Sequence, residues 1–347
     1  MTKITNLSQL GWRPFFQQQL SLTDYDESVP ARVVEQHRNQ LVLRGESGEI
    51  VLALHPSMPA LCVGDWVLLD KQHQFVRLLE RFSEFSRKAA GSGLEKQLIA
   101  TNLDAVFVVM SLNQDFKLSR LERYLTLVNE TGAQAVIVLT KRDLCDDVDS
   151  LQAQVQALDP LLQVIAVNGL DSESIAPLRD WCKEGQTVAF MGSSGVGKST
   201  LINSLQGQQL LATSGIREDD SKGRHTTTTR SLHLMAGSGL LMDTPGMREL
   251  QLADVQTGLS TTFAEIEALA KQCRFNNCSH QSEPGCCVQA ALANGELDQR
   301  RLSNYFKLAR EQALNSASLA QKRAKDKALG KMYRTVQGES QRRKKGY

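Results

Sequence analysis

The stretch "GSSGVGKST", residues 192–200, limits the possible folds of this chain more than any other feature. It has the form G-x-x-x-x-G-K-S, with the apolar run "TVAFM" before it and the helix-like "STLINSLQG" after it. Gly192, Gly195 and Gly197 carry no side chains, so the backbone can wrap round a polyphosphate and the N–H groups of the loop, through Ser193, Ser194 and Val196, can face its oxygens. Lys198 adds a point charge for the outer phosphates. Ser199 offers a hydroxyl to the Mg²⁺ that travels with them, and Thr200 continues the first turn of a helix whose N-terminus faces the anion. Such a loop requires a strand on one side and a helix on the other, which makes the domain α/β.

The loop lies more than halfway along a chain of 347 residues, so the residues before it need a role. "DAVFVVMSL" (104–112) and "AQAVIVLTKRDL" (133–144) read as apolar strands, with leucines at helical spacing between them. The second strand runs into Thr140, Lys141, Arg142 and Asp143. A carboxylate at Asp143 can accept from N1–H and the N2 amino group of guanine, and Lys141 can lie along the base. Adenine would leave that carboxylate unpaired, which disfavours an ATP-dependent enzyme. "LQVIAVNG" reads as a third strand, with Asn168 near its end. The base-reading half therefore precedes the phosphate half, as in a circularly permuted GTPase domain, because a parallel sheet needs its strands and crossovers but not their order in the chain.

Beyond the loop, "GLLMDTPG" gives a strand ending in Asp243, placed to hold Mg²⁺ directly or through water. Gly246 offers a backbone N–H to the terminal phosphate. "DSKGRHTTTTRSLHL" is too polar for a core element and suits a switch loop whose threonines reach the metal, Thr228 first and Thr227 next. The residue after Asp-Thr-Pro-Gly is Met247, which cannot orient a water. His225 is the candidate for that task, with a phosphate or RNA contact as its equal alternative. The catalytic set is then His225, Lys198 and Thr228, and slow unassisted turnover is expected.

"CRFNNCSHQSEPGCC" follows. Cys273, Cys278, His280 and Cys286 form C-x4-C-x-H-x5-C, a Cys₃His set suited to structural zinc, with Cys287 competing for the last place. Cys62, Cys145 and Cys182 read as isolated core thiols. The chain continues as a helical pattern into a basic end, "KRAKDKALGKMYRTVQGESQRRKKGY", although the net charge of the whole is only +2. That end is either a solvated extension or a nucleic-acid contact. At the front, short alternating strands are spaced for a small antiparallel barrel, either generic or of the oligonucleotide-binding type. The sequence has no apolar run of about eighteen residues and no signal-peptide pattern at its start, so the expectation is a cytoplasmic protein without membrane contact.

In order along the chain, "VGDWVLL", "RKAAGSGLEKQLIATNLDAVFVV", "TKRD", "GSSGVGKST", "GRHTTTT", "DTPGMREL" and "CRFNNCSHQSEPGC" resemble the bacterial ribosome small-subunit-dependent GTPase A (RsgA, or YjeQ) family. The resemblance implies a multidomain α/β protein: an N-terminal oligonucleotide-binding β-barrel (1–85), a circularly permuted P-loop GTPase domain (86–252) and a C-terminal zinc-binding helical domain with a basic tail (253–347). It also implies GTP hydrolysis to GDP in late maturation of the small ribosomal subunit, stimulated by that subunit and its rRNA, with Mg²⁺ accompanying GTP and one zinc per chain. By motif, zinc falls on Cys273, Cys278, His280 and Cys286. The expected state is a monomer. The competing class is an RNA-binding zinc protein whose nucleotide site regulates without turning over, a reading that intact Lys198, Ser199 and Asp243 disfavour. Two positions depart from the family pattern: Thr140 stands where Asn commonly braces the base loop, and Asn168 where Ser is usual. The N-terminus also lacks the very basic leader of some members, which shifts more of the RNA attraction to the tail.

Overall fold

The computed structural model describes residues 6–88, 96–207, 230–235, 239–243 and 255–316. The strands that sequence periodicity suggests at the front are β1 (Ser28–Gln36), β2 (Gln40–Gly45), β3 (Gly48–Ala53), β4 (Trp66–Asp70) and β5 (Phe75–Leu78). They pair antiparallel in the order β3-β2-β1-β4-β5. Two short helices, α1 (Pro14–Gln17) and α2 (Leu22–Glu27), precede them. Leu10, Phe16, Trp66, Leu68 and Leu79 form a small core of their own there.

A hairpin of β6 (Glu84–Lys88) and β7 (Lys96–Thr101) follows, where the sequence reads only as a link. Then come β8 (Ala105–Ser111), α3 (Leu118–Asn129), β9 (Gln134–Thr140), α4 (Val148–Gln156), β10 (Gln163–Ala166), α5 (Ala176–Arg179), β11 (Thr187–Met191), α6 (Lys198–Gln206), β12 (Arg230–Leu234) and β13 (Leu240–Asp243). The sheet order β10-β9-β8-β11-β13-β12 is parallel except for β12, which runs antiparallel to β13. The strand before the phosphate loop, β11, thus lies between β8, which comes earlier in the chain, and β13, which comes later. Every residue of β8 and β11 is buried, as expected of central parallel strands covered on both faces.

The two sets of strands share one hydrogen-bonded sheet. Glu35 and Gln36 at the end of β1 pair antiparallel with Ser231 and Arg230 of β12. Arg230 Nη1 also donates to Gln36 Oε1 (3.1 Å) and to the Leu98 carbonyl of β7 (2.7 Å). On the other side of the junction Arg32 is fully buried. It donates to the carbonyls of Leu10 (2.5 Å), Gly64 (3.2 Å) and Asn102 (3.0 Å) and to Thr187 Oγ1 (2.9 Å) at the start of β11. Burial pushes this guanidinium down to about 10, and the nearby Asp104 and Asp65 support its charge against that loss of solvation.

The C-terminal part is helical: α7 (Gln256–Thr262), α8 (Ala264–Ala270), α9 (Cys287–Ala293) and α10 (Gln299–Ser316). Its attachment to α3 is polar as well as apolar. Glu122 of α3, fully buried, accepts from Arg300, Arg301 and Asn304 of α10. Arg301 also donates to Glu265 and to the carbonyls of Leu158 and Thr262, which satisfies its buried guanidinium. Among the described residues no helix is long and apolar enough to cross a membrane.

Candidate functional site: a phosphate loop, a base turn and a Cys₃His knuckle

The carboxyl ends of the parallel strands converge. β9 ends at Thr140, β11 at Met191 and β13 at Asp243, the edge at which open α/β sheets bind ligands. Gly192 leaves β11 with φ +152°, and a Cβ there would lie 2.3 Å from the Val109 carbonyl of β8, so the loop passes too close to its neighbour for any side chain. Gly197 turns at φ +95° directly before α6. Lys198, buried at the start of that helix, donates to the carbonyls of Gly192 (2.8 Å) and Ser193. The ammonium is thereby fixed over the loop. Ser199 and Thr200 follow in the first turn, half-buried, while Ser194 and Gly195 are exposed and Val196 is buried.

The base turn is built against this loop. Thr140 Oγ1 donates to the Val196 carbonyl at 2.6 Å. The next residue, Lys141, adopts φ +61°, and Arg142, Asp143 and Leu144 make a single 3₁₀ turn with Arg142 and Asp143 exposed. The turn is tied to the end of β10 by the Arg142 N–H donating to Val167 (3.2 Å). Beyond β10, Asn168 accepts from the Leu170 N–H (3.0 Å), and Ser204 of α6 donates to the Gly169 carbonyl (2.7 Å). Asn168 therefore shapes its own loop, which in turn is bonded to the helix behind the phosphate loop. Asp243 sits half-buried at the end of β13, opposite Ser231 of β12. Thr227, Thr228, His225, Gly246 and Met247 lie outside the described residues.

Two further side chains reach the phosphate loop without any signal in the sequence. Arg120 Nη1 donates to Ser193 Oγ (3.0 Å) and is held by Asp115 (2.6 Å), while Tyr124 Oη lies 3.4 Å from the same hydroxyl. On a helix with mixed charges, such residues read as a solvated face.

The knuckle brings its four residues together. The Sγ atoms of Cys273, Cys278 and Cys286 and a ring nitrogen of His280 all lie within 4.8 Å of one another. Cys273 Sγ is 3.5 Å and Cys286 Sγ 3.6 Å from His280 Nδ1, and the two sulfurs are 3.9 Å apart. Three sulfurs and one nitrogen at zinc bonding distances would form a tetrahedron with edges of about 3.5–3.8 Å, so this set fits a tetrahedral metal. Cys287 Sγ points elsewhere, 3.1 Å from the Gln272 carbonyl. His280 takes φ +58°, and its carbonyl accepts from Gln289 (2.6 Å). Glu283 braces the loop from beneath, accepting from the N–H groups of Ser279 (2.8 Å), Gln281 (3.0 Å) and Ser282 (3.1 Å) and from the Ser279 hydroxyl. Those donors, the Ser279 hydroxyl foremost, hold its carboxyl well below the usual range.

With this geometry in place, comparison with known proteins is decisive. Residues 78–253 match the family model described as RsgA GTPase. "Small ribosomal subunit biogenesis GTPase RsgA 2" of Vibrio parahaemolyticus is 60% identical over 341 residues, 98% of this chain and 95% of that one. The chain belongs to the RsgA GTPase family. A Mesorhizobium japonicum member, "Small ribosomal subunit biogenesis GTPase RsgA", is 46% identical over 90% of this chain and 91% of its own. Among solved structures, "YjeQ from Thermotoga maritima" aligns with TM-score 0.61 at 24% identity, covering 81% of this chain and 97% of that chain. "YloQ, a circularly permuted GTPase" aligns with TM-score 0.57 at 23% identity, covering 82% and 94%. These two likenesses concern the fold, and the strand order above has the permuted arrangement. A model described as ABC transporter also matches residues 178–342, a span that includes the phosphate loop. As an RsgA-family member the chain is a GTP-hydrolysing enzyme, and Mg²⁺ accompanies GTP in such enzymes.

Proposed function

We propose that this GTPase acts in late maturation of the small ribosomal subunit and that the subunit stimulates its hydrolysis. The observation that carries the nucleotide part is the Thr140 hydroxyl bonded to the Val196 carbonyl, because it fastens a guanine-reading turn after β9 to the phosphate loop after β11, across the end of the intervening β8. Asp143 and Lys141 read the base, with Arg142 in the same turn. Residues 192–200 hold the phosphates through their N–H groups and Lys198. Ser199 and Asp243 offer the hard oxygen ligands that Mg²⁺ prefers, and bound Mg²⁺ would supply positive charge to the phosphate oxygens. Gly246, Thr228 and His225 are assigned to the terminal phosphate, the metal and the attacking water, an rRNA group being the alternative for the water.

The ribosomal part rests on the names of the relatives, which are small-subunit biogenesis GTPases. The N-terminal strands serve as an oligonucleotide-binding barrel within 1–85, and 86–252 form the GTPase domain. Residues 253–347 bind one zinc through Cys273, Cys278, His280 and Cys286, and the basic tail contacts rRNA. The protein works as a cytoplasmic monomer. Measurement of GTP hydrolysis with purified ribosomal subunits tests the reading. Slow basal turnover, raised by small subunits and weakened by added salt, is the expected result. Equal stimulation by large subunits would overturn it.

A further inference from the structure

We propose that helix α3 transmits the position of the C-terminal helices to the phosphate loop, with Arg120 as the positioning residue at the loop end. The inference rests on the phosphate-holding role given above to residues 192–200.

The residues of α3 divide by direction. At about 100° per residue, Arg120 and Tyr124 share one face, Glu122, Thr126 and Asn129 project from the opposite side, and Arg123 and Glu130 lie on the flank between them. The first pair meets Ser193 of the phosphate loop. The others meet α7 and α10. Arg123 makes a bidentate pair with Glu311 (2.5 and 2.7 Å), Asn129 donates to Thr262 Oγ1 (3.1 Å), and Glu130 accepts from the Gly258 N–H (2.7 Å). Glu122 is buried among Arg300, Arg301 and Asn304. There is little slack in this contact, because a Cβ on Gly258 would lie 2.0 Å from the Thr126 carbonyl. α7 therefore rests backbone against backbone on α3.

The loop end is equally constrained. Ser193 is held through its hydroxyl by Arg120, which Asp115 orients, and its carbonyl accepts from Lys198. A shift of α3 along or about its axis therefore moves the residue that positions the phosphate-binding ammonium. A partner that displaces α7 and α10 changes nucleotide affinity by this route. By linkage, the bound nucleotide changes the affinity of the C-terminal helices for that partner by the same factor.

The test is a double-mutant cycle on the full chain, read as the release rate of a fluorescent GDP analogue. Arg123→Ala, which loosens the C-terminal clamp, should speed release about 3- to 10-fold, and Arg120→Ala should do the same. The double variant should release no faster than Arg120→Ala alone, because the route is already cut. Arg123→Lys, which keeps the charge but not the two-bond fork, should give a rate between wild type and Arg123→Ala. Glu311→Ala breaks the same pair from the other side and should give the same cancellation if Arg123→Ala folds poorly. Wild-type binding with effects that multiply in the double variant would overturn the proposal alone, since a merely structural role lowers melting temperature without cancelling in release rate. A wild-type chain that binds no guanine nucleotide would overturn the phosphate-loop reading and this proposal with it.

Discussion

The hydroxyl of Thr140 lies 2.6 Å from the Val196 carbonyl, so one proton joins the strand that precedes the base turn to the loop before α6. Thr140→Val keeps the shape and removes the donor. Nucleotide binding should weaken about tenfold, equivalent to about 1.4 kcal/mol, with only a small change in melting temperature. Titration with fluorescent GDP checks this, and unchanged affinity would show that the bond does not support the site.

Base selection should depend on Asp143. Replacing it by Asn substitutes a donor for an acceptor, so affinity for guanine nucleotides should fall by at least about 100-fold while that for xanthine nucleotides rises. Competition between the two measures the switch directly.

The knuckle should hold a single zinc. Cys278→Ser should lose about one zinc per chain by elemental analysis and lower the melting temperature, because ligand binding and folding are linked in such sites. GDP binding should persist, with release no more than about tenfold faster if the knuckle acts only through α3. A wild-type chain free of zinc after purification without chelator would end the assignment.

Arg32 should be among the costlier side chains to truncate. Arg32→Ala removes the donor to the Leu10 and Asn102 carbonyls and to the Thr187 hydroxyl, leaving Gly64 only its bond from Asn102, and should cost about 3 kcal/mol or more in denaturant unfolding. A loss under about 1 kcal/mol would mean that the junction relaxes or takes in water.

The phosphate loop, the base turn and the four knuckle residues were legible because each depends on spacing within a few residues. Even the choice between Cys286 and Cys287 has a local geometric outcome, since only Cys286 faces His280. The permuted order of the two halves was legible for the same reason: "TKRD" and "GSSGVGKST" each mark the end of a parallel strand. The contents of the interfaces were not legible. Glu122 and Arg301 are charged residues on helices with mixed faces, and nothing within a turn of either announces burial; their partners are far away in the chain. Arg32 sits in the unbroken buried run Ala31–Val34 of β1, where nothing local marks a guanidinium turned inward. The pairing of β6 with β7 was not legible because "RKAAGSGLEKQLIA" reads as a link. Thr140 departs from the expected Asn, yet it supplies the brace from its own hydroxyl, a substitution of chemistry that type alone does not reveal.

The pairing of Gln36 with Arg230 bears on how the chain comes off its own translation machinery. β1 finds β2 and β4 within a few dozen residues, but the end of the strand must wait for β12, about 190 residues later. At roughly 5–20 residues per second this is a delay of about 10–40 seconds. Throughout it the strand end presents unpaired N–H and C=O groups, the usual template for unwanted pairing with another chain. The permuted order also delivers the base-reading strands before the phosphate loop, so the nascent protein cannot hold a whole nucleotide until nearly everything that will surround it has been made. Completion of the edge and completion of the pocket then fall in the same late interval of synthesis.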